Sequence, residues 1–254
     1  SARTVERTEE PVFRLADALS KNDHHRVDAK RVRRAEKARA KRGGALTDEQ
    51  SLALRHITSG TGGVAVLVGH AGTGKSYMLD AAREAWEAQG LNVVGAALAG
   101  KAADGLRESA GIDSATLASR LWAWDEGRDL LGKDSVLVID EAGMIGTEDF
   151  RRVAEHVARA GAKIVLVGDP GQLGAIDIGA PMRGLVTTHG AAEMTDIQRQ
   201  KSEWQRQASI AFAAGDVREG LKGYLENKRI MVADSQESAA KGLVAQWARD
   251  YDGK

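Results

Sequence analysis

From residue 46 onward, short runs of consecutive apolar residues alternate with longer stretches whose apolar positions recur every three to four residues. The short runs fall near 64–68, 92–96, 135–139 and 163–167. Uninterrupted apolar runs of this length read as strands buried on both faces. The stretch after Lys75 is of the other kind, with Met78, Leu79, Ala82, Ala85 and Trp86 at helical spacing. Strands and helices in alternation predict an α/β domain, a mostly parallel sheet covered by helices on both faces. In such a sheet, ligands sit at the carboxyl ends of the strands.

Residues 1–45 break the pattern, being charged and poor in large apolar side chains. Arg26, Lys30, Arg31, Arg33, Arg34, Lys37, Arg39, Lys41 and Arg42 form a basic run that Gly43-Gly44 interrupts. This predicts a helical N-terminal segment, a solvated linker outside the core rather than a nucleic-acid contact. The remainder divides into a core domain over 46–200 and a further segment over 201–254.

Composition narrows the field. The 254 residues suffice for one large or two smaller domains. Thirty-six basic residues balance thirty-six acidic ones, so any polyanion site must be local. Cysteine is absent, which excludes disulfides and thiolate-metal sites. No apolar run approaches the ~18 residues of a membrane span, and the start lacks a signal-peptide core. A cytoplasmic protein without membrane attachment is expected. The chain lacks an initiator methionine and stops just after a helix-like stretch, so it reads as a fragment of a longer protein.

Candidate chemistry lies at the ends of the predicted strands. Gly69-His70-Ala71-Gly72-Thr73-Gly74-Lys75-Ser76 fits the phosphate-binding pattern G-x-x-x-x-G-K-[ST], with a strand entering it and a helix leaving it. The glycines let successive amides curl inward, and the helix start adds its positive dipole end. Lys75 is placed to reach the β- and γ-phosphates of ATP, and the Ser76 hydroxyl to ligate Mg²⁺. The strand at 136–139 ends in Asp140-Glu141. Asp140 is the second candidate for the metal, and Glu141 the candidate that activates the attacking water. A further strand ends in Gly168-Asp169-Pro170-Gly171-Gln172-Leu173, where Gln172 is a candidate sensor of the γ-phosphate.

Taken in order, these motifs resemble the first motor domain of a superfamily 1 helicase of the RecD-like branch, and more closely the helicase region of TraA-type conjugative relaxases. The resemblance covers roughly residues 46 to 215. It implies a RecA-like P-loop NTPase fold and adds roles for several residues. Leu46-Thr47-Asp48-Glu49-Gln50 resembles the adenine-recognising segment, with Gln50 on the base edge; Thr47-x-x-Gln50 is equally a helix capping box. Ala97-Leu98-Ala99-Gly100-Lys101-Ala102-Ala103 resembles a DNA-contacting motif but lacks its proline and threonine, leaving Gly100 and Lys101 as contacts. Ala115-Thr116-Leu117 resembles the next, with Thr116 near a phosphate, and Ile197-Gln198-Arg199-Gln200 resembles motif IV, whose arginine, Arg199, reaches the γ-phosphate.

The same resemblance places a strand-separating hairpin, or pin, at 121–134, where Trp122 and Trp124 are either base-stacking or core residues. It makes 201–254 the start of a second motor domain whose later motifs lie beyond residue 254. No histidine cluster with an active tyrosine is present for nicking chemistry. The implied activity is 5′ to 3′ translocation on single-stranded DNA, with ATP and Mg²⁺ as cofactors and a relaxase domain and conjugation machinery as partners. The alternatives are a RecD-like repair helicase and a non-hydrolysing module for single-strand binding or secretion recognition.

Overall fold

The computed structural model describes residues 13–168, 180–198, 200 and 202–252. The chain divides into two compact units, Ser1–Arg199 and Gln200–Lys254. The first is built on a six-stranded, all-parallel sheet. Its strands are β1 (Val64–Gly69), β2 (Asn92–Ala97), β3 (Asp113–Thr116), β4 (Ser135–Ile139), β5 (Lys163–Gly168) and β6 (Ala192–Met194), in the order β3-β2-β4-β5-β1-β6.

The four strands predicted from apolar runs are the four central ones. Their residues alternate between two cores, as a period of two requires. Ala65, Leu67, Val136, Val138, Val165 and Val167 enter one cluster, with Met78, Leu79, Ala82, Ala85 and Trp86 of helix Lys75–Ala88 and Leu106 of helix Gly100–Ala110. Val64, Val66, Leu137, Ile139, Ile164 and Leu166 enter the other, against Leu117 and Leu121 of helix Leu117–Asp125 and Phe150, Val153 and Val157 of helix Thr147–Ala160. Helices therefore cover both faces. The edge strands β3 and β6 escape the pattern because they are four and three residues long, too short for any period to register.

The first 45 residues require a correction. The basic run is helical over Ala29–Gly43, but this helix is not a free linker, since Val32 and Ala35 are buried in the first cluster. A helical stretch over 13–20 adds Ala16 and Leu19 to the second. Its carbonyls press on the turn before β1: a Cβ on Gly62 would lie 2.0 Å from the Ser20 carbonyl oxygen. Small apolar residues between charges supplied the buried face, and a large-residue criterion overlooks them.

At that same amino-terminal edge of the sheet the Lys163 ammonium is fully buried. It donates to the carbonyl oxygens of Thr61 (3.3 Å) and Gly62 (2.5 Å) and to Thr61 Oγ1 (3.0 Å). Three acceptors meet its three donors, while burial brings its pKa down to about 7.

A β-hairpin at 121–134 is not what the structure contains. Residues 117–125 are helix and 126–134 a loop without strands. Trp124 is core, 3% exposed, with Nε1 donating to the Asp129 carbonyl at 3.0 Å. Trp122 is 59% exposed, and the Arg128 guanidinium sits 4.2 Å over its ring. The second unit consists of helices Glu203–Ala213, Val217–Glu226 and Gln236–Asp252, with Trp204 and Phe212 packed on Tyr224.

Candidate nucleotide site and nucleic-acid face

The loop from Gly69 to Gly74 leaves β1 and opens the helix Lys75–Ala88. Gly72 and Gly74 take φ values of 85° and 83°, in the left-handed region that a residue with a Cβ adopts only with strain. At Gly74 a Cβ would also meet Gln50 Nε2 at 2.5 Å, so that side chain would have to move and give up its place against the loop. The loop is braced from outside. His70 N donates to the Met194 carbonyl at 3.2 Å, and Gln198 N to the Gly72 carbonyl at 2.9 Å. Thr73 Oγ1 donates to the His70 carbonyl at 2.9 Å. Lys75 Nζ lies inside the curl, 2.6 Å from the Gly69 carbonyl oxygen and 2.9 Å from that of His70.

A cavity of about 760 Å³ opens on this loop, lined by Gln50, Gly72, Gly74, Lys75, Ser76, Tyr77, Asp140 and Glu141 among others. Its size is that of small-ligand and cofactor sites. Asp140 and Glu141 reach it from the end of β4. Between β4 and the phosphate-loop strand β1 lies β5, paired in parallel to both, so the strand leading to Gln172 ends between the two halves of the site. Gln172 and Arg199 themselves lie outside the described residues.

The surroundings push both carboxylates in the same direction. Burial raises the Asp140 pKa, opposed by the Glu141 amide, which donates to Asp140 Oδ1 at 2.9 Å, and by the Lys75 charge. Burial followed by the Asp140 charge raises that of Glu141. Glu141 has φ 57°, a left-handed conformation that costs a non-glycine residue roughly 1–2 kcal/mol. That turn takes Glu141 off the strand direction, and both side chains line the same cavity. A raised carboxylate pKa suits a proton acceptor near neutrality.

The donor set fits a nucleoside triphosphate and magnesium. Among the described residues no group of three or more His, Cys, Asp or Glu side chains could hold a metal by itself. The cavity lining includes the Ser76 hydroxyl and the Asp140 carboxylate, a sparse hard-oxygen pair of the kind used when substrate phosphates and water complete the shell of Mg²⁺.

Gln50 takes up the helix-capping role and also lines the cavity. Its amide N donates to Thr47 Oγ1 at 3.2 Å and its Oε1 accepts from Thr47 N at 3.1 Å, completing the capping box of helix Asp48–Arg55. Its Nε2 also donates to the Thr73 carbonyl at 3.0 Å, and the side chain lines the cavity. Tyr77 and Gln198 line the same cavity and escaped the sequence reading. Tyr77 gives no motif signal; its hydroxyl donates to the Gly44 carbonyl at 2.7 Å, with the Arg39 guanidinium 3.6 Å over its ring.

Gly100, Lys101 and Thr116 gather at the same end of the sheet, on its far side. Gly100 and Lys101 open the helix that follows β2, Thr116 ends β3, and Ala97 and Thr116 are partners in the β2–β3 register. Helix Gly100–Ala110 begins without a side-chain cap, leaving amides exposed beside Lys101, and the Thr116 hydroxyl accepts from Ser119 N at 3.2 Å. A second cavity of about 520 Å³, lined by Ser76, Asp140, Glu141, Ala102, Gly105 and Ser109, joins this helix to the nucleotide site.

The chain is 44% identical over 252 residues, 99% of its length, to a conjugal transfer protein TraA of Rhizobium radiobacter, and it spans 22% of that relative. It is 28% identical over 212 residues, 82% of its length, to an ATP-dependent RecD2 DNA helicase of Deinococcus radiodurans, of which it covers 29%. The crystal structure of Pif1 helicase from Candida albicans shares the fold, at a TM-score of 0.54 and 18% identity over 75% of this chain and 49% of that one. No helix among the described residues is long and apolar enough to cross a membrane. With a phosphate loop and a strand-end carboxylate pair facing one cavity, and a family match over residues 45–235, the chain belongs to the AAA domain family.

Proposed function

We propose that this chain is the first motor domain of an ATP-driven, 5′ to 3′ single-stranded-DNA helicase of the RecD-like branch, acting within a cytoplasmic conjugative relaxase. The observation that carries this reading is the convergence of Lys75, Ser76, Asp140 and Glu141 on one cavity with Gln50 at its rim. Lys75 and the loop amides hold the phosphates, Ser76 and Asp140 hold Mg²⁺, and Glu141 takes the proton of the attacking water. Magnesium neutralises phosphate charge when bound. Gln172 senses the γ-phosphate and Arg199 completes the clamp on it. Gly100, Lys101 and Thr116 grip the DNA backbone, and helix Gly100–Ala110 carries the state of the nucleotide to that grip.

The name of the Rhizobium radiobacter relative supports the conjugative setting, with a relaxase domain elsewhere in the natural chain. That relative is far longer than this chain, so the whole-protein activity belongs to the proposal. A purely non-hydrolysing module has no use for the full set of Lys75, Asp140, Glu141 and a left-handed turn at Glu141.

Two variants test the assignment. Lys75→Ala is expected to weaken Mg-ATP binding at least tenfold in isothermal titration, and equal affinity would remove the phosphate-loop role. Glu141→Gln is expected to bind Mg-ATP as the unaltered chain does while losing the residual hydrolysis, because the amide cannot accept the proton. Hydrolysis at the unaltered rate would transfer the role of base to another residue.

A further inference from the structure

The helix Ala29–Gly43 spends its cations unequally. Arg31 donates to the Ala88 carbonyl at 2.9 Å, while Arg39 and Arg42 both pair with Asp80 at 3.2 Å and Arg42 also with Glu84 at 2.5 Å. These three lie on the side that holds the buried Val32 and Ala35 and faces the phosphate-loop helix. Lys30, Arg33, Arg34, Lys37 and Lys41 are exposed and form no ion pair or side-chain hydrogen bond among the described residues. At 3.6 residues per turn, these five fall within an arc of about 100°, opposite the packed face. The stripe from Lys30 to Lys41 is about 16 Å long at 1.5 Å per residue.

We propose that this stripe is a second DNA contact, separate from the Lys101–Thr116 face, which binds the phosphate backbone of a duplex. The proposal rests on the reading of the chain as a DNA motor. Phosphates of one strand recur every 3.4 Å along a duplex axis while winding around it, so a straight rod of about 16 Å meets a few of them. Binding single strands without sequence preference uses aromatic platforms for the bases, and no aromatic residue lies between Lys30 and Lys41. A helix that lies on a membrane needs an exposed apolar face, whereas here Val32 and Ala35 are committed to the core. The stripe is held rigidly. Asp80 and Glu84 fix the carboxyl end of the helix, and Gly43 and Ala45 form part of the wall of the nucleotide cavity. Duplex held there lies on an element in direct contact with the nucleotide site.

The test compares the 254-residue chain with a variant carrying Lys30→Gln, Arg34→Gln, Lys37→Gln and Lys41→Gln. Fluorescence anisotropy would follow a labelled duplex of about 20 base pairs and a single strand of equal length across a salt series. For the duplex, affinity at low salt is expected to fall at least tenfold, and the slope of log affinity against log salt to shrink by about 0.9 for each phosphate that the variant no longer neutralises. Single-strand affinity is expected to stay within about twofold, with Mg-ATP binding unchanged as evidence of folding. If the fourfold variant does not fold, Arg33→Gln with Lys37→Gln is expected to produce about half the change in slope. An unchanged duplex slope in a folded variant overturns the stripe and leaves the motor reading intact. Equal losses for duplex and single strand overturn the duplex assignment. Absence of any DNA binding by the unaltered chain at low salt overturns both, and loss of binding to anionic vesicles with duplex binding preserved overturns the choice of partner.

Discussion

At the residue scale, Asp140 is a carboxylate held where a charge is costly. Burial raises its pKa, and the Glu141 amide and Lys75 offset this in part. A carboxyl whose pKa is raised by folding favours the folded state most at low pH, where it is protonated; that advantage is lost as pH rises through its folded value. Ionisation of Asp140 in the ligand-free protein is therefore destabilising, and under the proposed function a bound cation would offset that cost. Asp140→Asn keeps an oxygen for the Glu141 amide but removes the charge. The variant is expected to melt higher than the unaltered chain at pH 7 without nucleotide, with the gap narrowing as pH falls toward the ordinary carboxylate range. It is also expected to lose the added stability that Mg²⁺ gives in the presence of ATP. A lower melting temperature at pH 7 would mean that Lys75 already offsets the cost of burial.

At the element scale, the amino-terminal segment is clamped rather than appended. Gly63 N donates to the Leu19 carbonyl at 3.0 Å, and neither Gly62 nor Gly63 has room for a Cβ, because the carbonyl oxygens of Ser20 and Leu19 stand 2.0 and 2.5 Å from where it would lie. The obstacle is backbone, which rotamer changes cannot relieve. Gly62→Ala is expected to cost about 1–3 kcal/mol in urea denaturation, in the range of overpacked cores. It is also expected to expose new protease sites between residues 20 and 28 as the 13–20 helix lifts off. Unchanged stability and cleavage would show that the turn before β1 can shift freely.

At the scale of the whole molecule, every described residue that lines the nucleotide cavity lies at or before Gln198, within the unit Ser1–Arg199. A chain ending at Arg199 is thus expected to bind Mg-ATP within about threefold of the 254-residue chain, by isothermal titration. Loss of binding would show that residues 200–254 support the site. Translocation asks for more, since alternating grips on DNA need two motor halves. The 254-residue chain is expected to show little DNA-stimulated hydrolysis and no unwinding of a 5′-tailed duplex. Steady unwinding would place a complete motor in these residues.

The sequence by itself determined the four central strands, the doubly covered sheet and the phosphate loop with its carboxylate pair. Each of these is written in local terms: apolar runs for strands buried on both faces, helical spacing after Lys75, and glycines where amides must converge. Tertiary structure decided what depends on neighbours far along the chain. Edge strands β3 and β6 exist because longer strands offer them a partner. Trp122 and Trp124 divide between surface and core by their direction from one helix, which adjacent positions cannot reveal. Gln50 caps its own helix and also braces Thr73 in the glycine-rich loop, a contact that local spacing does not announce. The basic helix shows the limit most clearly: its eight cations look alike until packing assigns three to the carboxylates and carbonyls of the phosphate-loop helix and leaves five aligned toward solvent.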